Sequence, residues 1–529
     1  MAAKEAFLAV VLLLSLLSSP LPSGAQASVF PVNVWPKPTS MSWAEPLAAI
    51  PVSASFRIVG TSGNSPYLVS ATQRYTALLF AERYRPIVRP AVNVTAGGPA
   101  LQSLTVSVSD LSAPLQDGVD ESYELEILPT GVATITAATV WGAMHGLESF
   151  SQLAWRGRQG ELLVAAGVRV EDKPLYQHRG LMLDTGRTYF PVVDILRTID
   201  TMAANKMNVF HWHITDSQSF PIELPSEPML AEMGAYGEDM RYTVKDVQRI
   251  VEFAMSRGVR VVPEIDAPGH TASWAGAYPE AVSCAGKFWL PDASDWGSRL
   301  AAEPGSGQLN PLEPKTYEVV ANIINDITSM FPEGLYHAGA DEVTPGCWET
   351  DPSIQADMEK GGTLSQLLAR YVRAAGYRAI VSSASFYYLD CGHGDFVGNN
   401  SVYDDQRSDY KTDGGSWCGP FKTWQRVYDY DIAYGLTAEE AKLVIGGEVA
   451  LWTEQADSTV LDARIWPRAS AMAEALWSGN RDASGGKRYA EATDRLNDWR
   501  HRMVGRGIRA EPIQPLWCRT RPGMCDLVR

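Results

Sequence analysis

The hydrophobic pattern changes character twice along this chain. After Lys4, an apolar run from Phe7 to Leu17 is broken by Pro20 and Pro22, and Ala25-Gln26-Ala27 supplies a small-residue cleavage pattern. This reads as a secretory signal over 1–27. The run is shorter than the roughly 20 apolar residues of a membrane span. From 28 to 172, short stretches alternate apolar and polar positions at 55–59, 104–109, 123–128 and 132–136, with helical stretches at 65–84 and 140–154. That combination predicts a smaller α+β domain. After Asp172-Lys173-Pro174, strands alternate with helices through 173–529. Strands are predicted at 180–183, 209–214, 259–265, 335–339, 378–382 and 443–451. Helices at 192–204, 244–256 and 316–330 repeat their apolar residues at three- and four-residue spacing, the mark of parallel βα units.

Several of these strands end in polar residues: Asp184 and Arg187, then Asp216, then Glu264, Asp266 and His270, then Asp341 and Glu342, and last Trp452 and Glu454. Functional side chains on successive strand ends predict a (β/α)8-type barrel with its site on that rim, where a doubly wound sheet would gather them at one switch point. The run Tyr336 to Glu342 stands out, because an apolar strand ends on two adjacent carboxylates beside small residues that let a ligand approach the backbone. A plainer reading makes Asp341 and Glu342 the acidic start of a helix, complementing its dipole.

Composition narrows the chemistry. The chain has 61 acidic and 45 basic side chains among 529 residues and a pI near 5.1. That balance argues against nucleic acid or an anionic membrane as partner. Sixteen tryptophans suit sugar stacking, although core packing must account for most of them. Six cysteines in a secreted chain read as disulfides, and spacing pairs Cys518 with Cys525 and Cys391 with Cys418, leaving Cys284 for Cys347. Asn93 and Asn399 head glycosylation sequons. His211 and His213 share a strand face and invite a metal reading. A barrel metallohydrolase should draw further ligands from later strands, so no metal is expected and the two histidines are assigned to the rim acids. His145 reads as structural. Ser217, Ser382 and Ser383 lack a nucleophile elbow.

The segment His337 to Glu342 resembles the H-x-G-G-D-E motif of glycoside hydrolase family 20, the β-N-acetylhexosaminidases. Supporting segments run in order: Arg179-Gly180 through Arg187, Asn208 through Asp216, Pro263-Glu264-Ile265-Asp266 through His270, Tyr388-Leu389-Asp390, Gly446-Gly447-Glu448 through Glu454, and Trp466-Pro467-Arg468. Residues 391–399 are most similar to the plant members. The resemblance implies an exo-acting enzyme that removes terminal β-linked N-acetylglucosamine or N-acetylgalactosamine with no cofactor. The substrate's own acetamido oxygen would be the nucleophile, which accounts for two carboxylates side by side rather than across the ring. Glu342 would protonate the leaving oxygen and later activate water. Asp341 would orient the acetamido N–H, and Tyr388 would bond its oxygen. Arg187 and Glu454 would hold ring hydroxyls, Asp390 the 6-hydroxyl, and Trp452 would stack beneath the sugar. Asp216 and His270 complete the substrate-binding set.

The chain departs from that pattern twice. Ala340 stands where the motif has glycine. Only about 35 residues separate Glu342 from the strand at 378, roughly one βα unit. A single helical stretch fills 363–377, two βα units are missing, and six strands remain. The implied protein is a secreted glycosidase acting on a glycan or glycoconjugate, extracellular, in the cell wall or in a vacuole, without a membrane anchor and with homodimerisation open. The alternative is an impaired glycan-binding or misfolded variant of the same fold.

Overall fold

The computed structural model describes residues 33–60, 65–86, 93–94, 99–363, 379–394, 396, 418–521 and 524–525. The signal at 1–27, Asn399 and the helical stretch at 363–377 beyond its first residue lie outside them, and only the backbone is described for Asn93.

The first hydrophobic core is built on a seven-stranded sheet of β1 (Ser40–Gly60), β2 (Asn93–Val94), β3 (Leu101–Asp110), β4 (Tyr123–Ile127), β5 (Ala133–Thr139), β6 (Ala154–Arg156) and β7 (Leu162–Asp172), in the order β2-β1-β3-β5-β4-β7-β6. Alternation puts Leu104, Val106 and Val108 of β3 and Ala133, Ile135 and Ala137 of β5 inward. The helices Pro66–Ala81 and Val140–Gln152 cover that face, the second starting where the Thr139 side chain accepts from the Gly142 N–H. Both helices and β3 to β5 follow the sequence pattern. The first half of β1 does not, since Pro46 and Pro51 argue against a strand, and β7 opens on a continuous apolar run without alternation.

The second core surrounds β8 (His178–Asp184), β9 (Val209–Thr215), β10 (Arg260–Ile265), β13 (Ala379–Val381) and β14 (Val444–Leu451), a parallel sheet in the order β10-β9-β8-β14-β13. All residues of β8, β9 and β10 are buried, as strands are when helices cover one face and side chains fill the other. The helix Val244–Met255 begins with a capping box between Thr243 and Asp246. The last strand of the sequence, β14, pairs with the first of this sheet, β8, which makes the seam of a barrel.

At the other end the barrel does not close among the described residues. The strand expected at 335–339 contracts to one parallel bridge between His337 and Glu264, and Leu335 is 40% exposed. β13 has three residues and Ile380 is 40% exposed. Among the described residues no strand joins His337 to β13, so the six strand positions form an open arc, an incomplete (β/α)8 barrel. Closing a parallel barrel needs matched strand number and tilt, and six strands leave two free edges.

Buried ion pairs fasten the two cores. Arg179 Nη2 lies 2.6 Å from Glu121, Lys206 Nζ 2.9 Å from Asp172, and Arg502 Nη2 2.7 Å from Glu82. Removing one partner of such a pair strands a buried charge, at about 3–5 kcal/mol. His145 sits in this seam with Nε2 2.9 Å from Glu121, a structural role as its sequence context indicated. The three disulfides are Cys284–Cys347, Cys391–Cys418 and Cys518–Cys525, as spacing predicted. The first ties the segment after β11 (Val282–Ser283), which pairs with β12 (Gln308–Leu309), to the short helix Pro345–Glu349.

Candidate active site

The C-terminal ends of the barrel strands deliver most of their polar residues to one cavity of about 360 Å³. β8 leads into Asp184, whose carboxylate accepts from the N–H groups of Gly186, Arg187 and Thr453 and so fixes the turn that launches Arg187. Gly186 is required there, because a Cβ would lie 2.5 Å from the Asp216 nitrogen. The Arg187 guanidinium is buried among acids: Nη1 is 2.9 Å from Asp216, Nε is 2.7 Å from Glu303 and 3.6 Å from Glu454, and the group lies 5.0 Å over the Trp452 ring.

From β9 and β10 a chain of alternating carboxylates and imidazoles runs toward the cavity. Glu264 Oε2 stands 2.7 Å from His213 Nδ1, and His213 Nε2 3.0 Å from Asp216 Oδ2. Asp216 Oδ1 is 3.0 Å from His270 Nδ1, and His270 Nε2 is 3.4 Å from Glu342 Oε2. Burial alone would lower the His270 pKa, yet Asp216 and Glu342 outweigh it and hold the ring well above the ordinary histidine value. The hydrogen bond from His270 in turn keeps Glu342 below the usual carboxylate range. Glu342 is therefore a carboxylate at rest, ready to activate water. To act as an acid it must first take up a proton, which the charged His270 ring disfavours.

The catalytic strand end is held by backbone geometry rather than by a sheet. Gly339 has φ +66°, and a Cβ there would meet the Asp266 carboxylate at 1.7 Å. The Ala340 N–H donates to Asp266 Oδ1 at 2.8 Å, and Ala340 (φ +86°) and Glu342 (φ +47°) are both left-handed. Non-glycine residues rarely adopt that region, and such strain clusters at functional sites. Asp341 and Glu342 both line the cavity, although the Glu342 side chain is 52% exposed.

Tyr388, Asp390, Trp452, Glu454, Arg187 and His270 line the same cavity. Burial lifts Asp390 to about 6 and Glu454 to about 8, so both carboxyls are neutral over part of the acidic range and can donate to a hydroxyl. Asp216 departs from its expected place as a substrate contact. It is fully buried behind Arg187 and His270 and does not line the cavity, so it acts by fixing those two side chains. His211 and His213 contact the acids Glu264, Glu448 and Asp216, as assigned. Trp452 shares the aromatic lining of the cavity with Trp289, Tyr388 and Phe396. Trp289, Arg299 and Glu303 were illegible in the sequence. They lie on the loop between Cys284 and Cys347, which the disulfide, the β11–β12 pairing and the Arg187–Glu303 ion pair hold over the rim.

The catalytic-domain profile of glycosyl hydrolase family 20 matches residues 176–375 and 364–480, and a profile described as beta-acetyl hexosaminidase like matches 34–153. The chain belongs to glycoside hydrolase family 20. The catalytic-domain match falls in two segments that overlap at 364–375. Beta-hexosaminidase 1 of Coccidioides posadasii is 39% identical, over 80% of this chain and 81% of that protein. Beta-hexosaminidase 1 of Arabidopsis thaliana is 32% identical, over 96% and 95%. Among solved structures, Streptomyces plicatus N-acetyl-beta-hexosaminidase in complex with Thio-NAglucal superposes with a TM-score of 0.66 at 26% identity, covering 92% of this chain and 98% of that one. As a family-20 protein, the chain carries an incomplete barrel whose rim brings Asp341, Glu342, Asp390 and Glu454 to one cavity.

Proposed function

We propose that this chain is an exo-acting β-N-acetylhexosaminidase that releases terminal N-acetylglucosamine or N-acetylgalactosamine from glycans by substrate-assisted, retaining hydrolysis. One observation carries the reading: Asp341, Glu342 and Tyr388 line a single cavity with Arg187, Asp390, Trp452 and Glu454. The cavity has the size of one or two sugar rings and is walled by aromatic faces and hydrogen-bonding acids. Family-20 relatives solved with N-acetylglucosamine support the substrate class. In the mechanism, the 2-acetamido oxygen attacks C1 while Glu342 protonates the leaving oxygen. Asp341 holds the acetamido N–H, and Glu342 then removes a proton from the attacking water.

Residues 28–172 serve as support in this reading. The secretory signal, the sequons and the disulfides favour an extracellular, cell-wall or vacuolar location, and among the described residues no helix is long and apolar enough to cross a membrane. Plant-type character rests on residues 391–399 alone, and homodimerisation on nothing further. Turnover of a chromogenic N-acetylglucosaminide, inhibited by a thiazoline mimic of the cyclised intermediate, tests the proposal. No turnover, or a sugar ester trapped on a carboxylate, would overturn it.

The half-exposed Glu342 and the one-bridge strand beside it favour a second reading, a barrel that binds glycans but turns them over slowly. Inserting the two absent βα units from a relative separates the readings. A large gain in rate and melting temperature supports the impaired form, and equal values support the full enzyme.

A further inference from the structure

His211, on β9, lies between two carboxylates. Its Nδ1 is 3.0 Å from Glu448 Oε1, while its buried Nε2 lies 2.8 Å from Glu264 Oε2 without a well-directed hydrogen bond. The other oxygen of Glu264 is 2.7 Å from His337 Nδ1 on the bridge that replaces the fourth strand. The three donor atoms lie within 4.8 Å of one another. Two imidazoles and a carboxylate are a donor set that zinc-class ions accept, with a fourth position left for solvent. Outer support is present: Glu448 holds His211 and is itself met by His178 Nε2 at 3.1 Å, the carboxylate–histidine arrangement that orients a ligand ring. Access is present as well, because the His337 side chain is 49% exposed on the open flank. Sequence reasoning set a metal aside for want of ligands from later strands, yet Glu264 and His337 come from the next two strand positions.

We propose that His211 Nε2, Glu264 and His337 Nδ1 form a site for a divalent transition-metal cation, zinc by class, that braces the open edge of the barrel. The ion would join three successive strand positions, the last of them tethered by one bridge, and so pin the segment that leads to Asp341 and Glu342. A second trio, Asp216, His270 and Glu303, has a similar spread. It is already bridged by the Arg187 cation, which touches two of its three members.

The test uses the full mature chain, stripped with a chelator and titrated with Co²⁺ as a spectroscopic probe, with melting temperature read in parallel with Zn²⁺. One equivalent of Co²⁺ should give visible d–d bands of low coordination number that Zn²⁺ displaces, and Zn²⁺ should raise the melting temperature reversibly. His337→Ala, at an exposed position, should weaken binding by more than the roughly 10–100-fold that losing an outer-shell partner costs. His337→Asp should restore part of the affinity with shifted bands. Glu303→Gln should leave the bands unchanged. Absence of bands in the folded wild-type chain, bands that survive His337→Ala, or bands lost in Glu303→Gln would overturn the proposal.

Discussion

On β9 and β10, His213 and Glu264 are buried, and so is Asp216 just beyond β9; each carboxylate is met by a ring nitrogen or guanidinium within about 3.0 Å. One strand position further along, Leu335 to Glu342 carry the catalytic pair on a segment that is mostly exposed and joined to β10 by a single bridge at His337. The local sequences do not differ in kind, since both are apolar runs ending in acids. The difference lies in neighbours. β9 is hydrogen-bonded on both edges, whereas the 335–339 segment has β10 on one side and, among the described residues, no strand on the other. Strand formation depends on that pairing more than on intrinsic preference, and the site here joins a rigid half to a loosely held one.

The largest test of that comparison asks whether the loosely held half does the chemistry. Glu342→Gln removes the proton donor and should cut turnover of an unactivated oligosaccharide by ~10²–10⁴-fold, the usual worth of general acid–base catalysis. Wild-type-like rates would mean that the buried acids of β9 and β10 carry the reaction, and that the exposed pair is only the acidic start of a turn.

The second asks what restrains the open flank in place of a sheet. Cys284–Cys347 closes a 63-residue separation beside the catalytic segment. In the chain-entropy account such a closure stabilises by about 4 kcal/mol. Replacing both cysteines by serine should lower the melting temperature and also raise KM, because Trp289, Arg299 and Glu303 ride on that loop. A fall in stability with KM unchanged would show that the loop keeps its place without the bond.

The third uses acidity. Burial lifts Asp266 and Asp390 to about 6 and Glu454 to about 8, above their unfolded values. Carboxyls with raised folded values favour folding at low pH, and that contribution is lost as pH rises from about 4 through 8. Glu82, Glu121 and Glu474 have the opposite sign. Burial would raise them, but Arg502, Arg179 and Arg495 hold each down at about 2, so their contribution is lost as pH falls below about 4.5. Melting temperature should therefore peak between about pH 4 and 5 and decline toward pH 8. Glu454→Gln should flatten the upper part of that decline, and a melting temperature that rises steadily from pH 5 to 8 would contradict the assignment.

The contrast between the two halves also marks what could be read from sequence. β8, β9, β10 and β14 and the helices Val192–Ala204, Val244–Met255 and Pro314–Met330 follow from periodicity within one or two residues, because these strands are largely buried on both faces and the pattern is strong. The acids of the rim were legible for the same reason, since they end those strands. Strand 335–339 was not, because its sequence is that of a strand, and among the described residues it has β10 on one edge and no strand on the other. Glu303 and Trp289 carry no local signal, as the long loop that bears them is positioned by long-range contacts, the disulfide and the Arg187–Glu303 ion pair among them. Asp216 was placed on the substrate because strand-end acids usually meet it, whereas three cationic neighbours draw it inward.

The smallest effect concerns Ala340, where the motif has glycine. Sequence alone makes the extra methyl a matter of space beside the reacting centre, and the structure makes it a matter of backbone. At φ +86° an L-residue carries a steric cost that glycine does not, and its N–H must still reach Asp266. On the rigid half such strain would be held by buried neighbours, as it is at Lys206 (φ +56°), which is buried and paired with Asp172. On the open flank little opposes its release. Ala340→Gly should therefore raise stability by about 1 kcal/mol in spite of glycine's greater entropy when unfolded. It should also lift turnover modestly by letting Asp341 and Glu342 settle into one arrangement. A stability unchanged or lowered by the substitution would show that the segment already relaxes its backbone in solution, and that the flank is looser than its single bridge to Glu264 suggests.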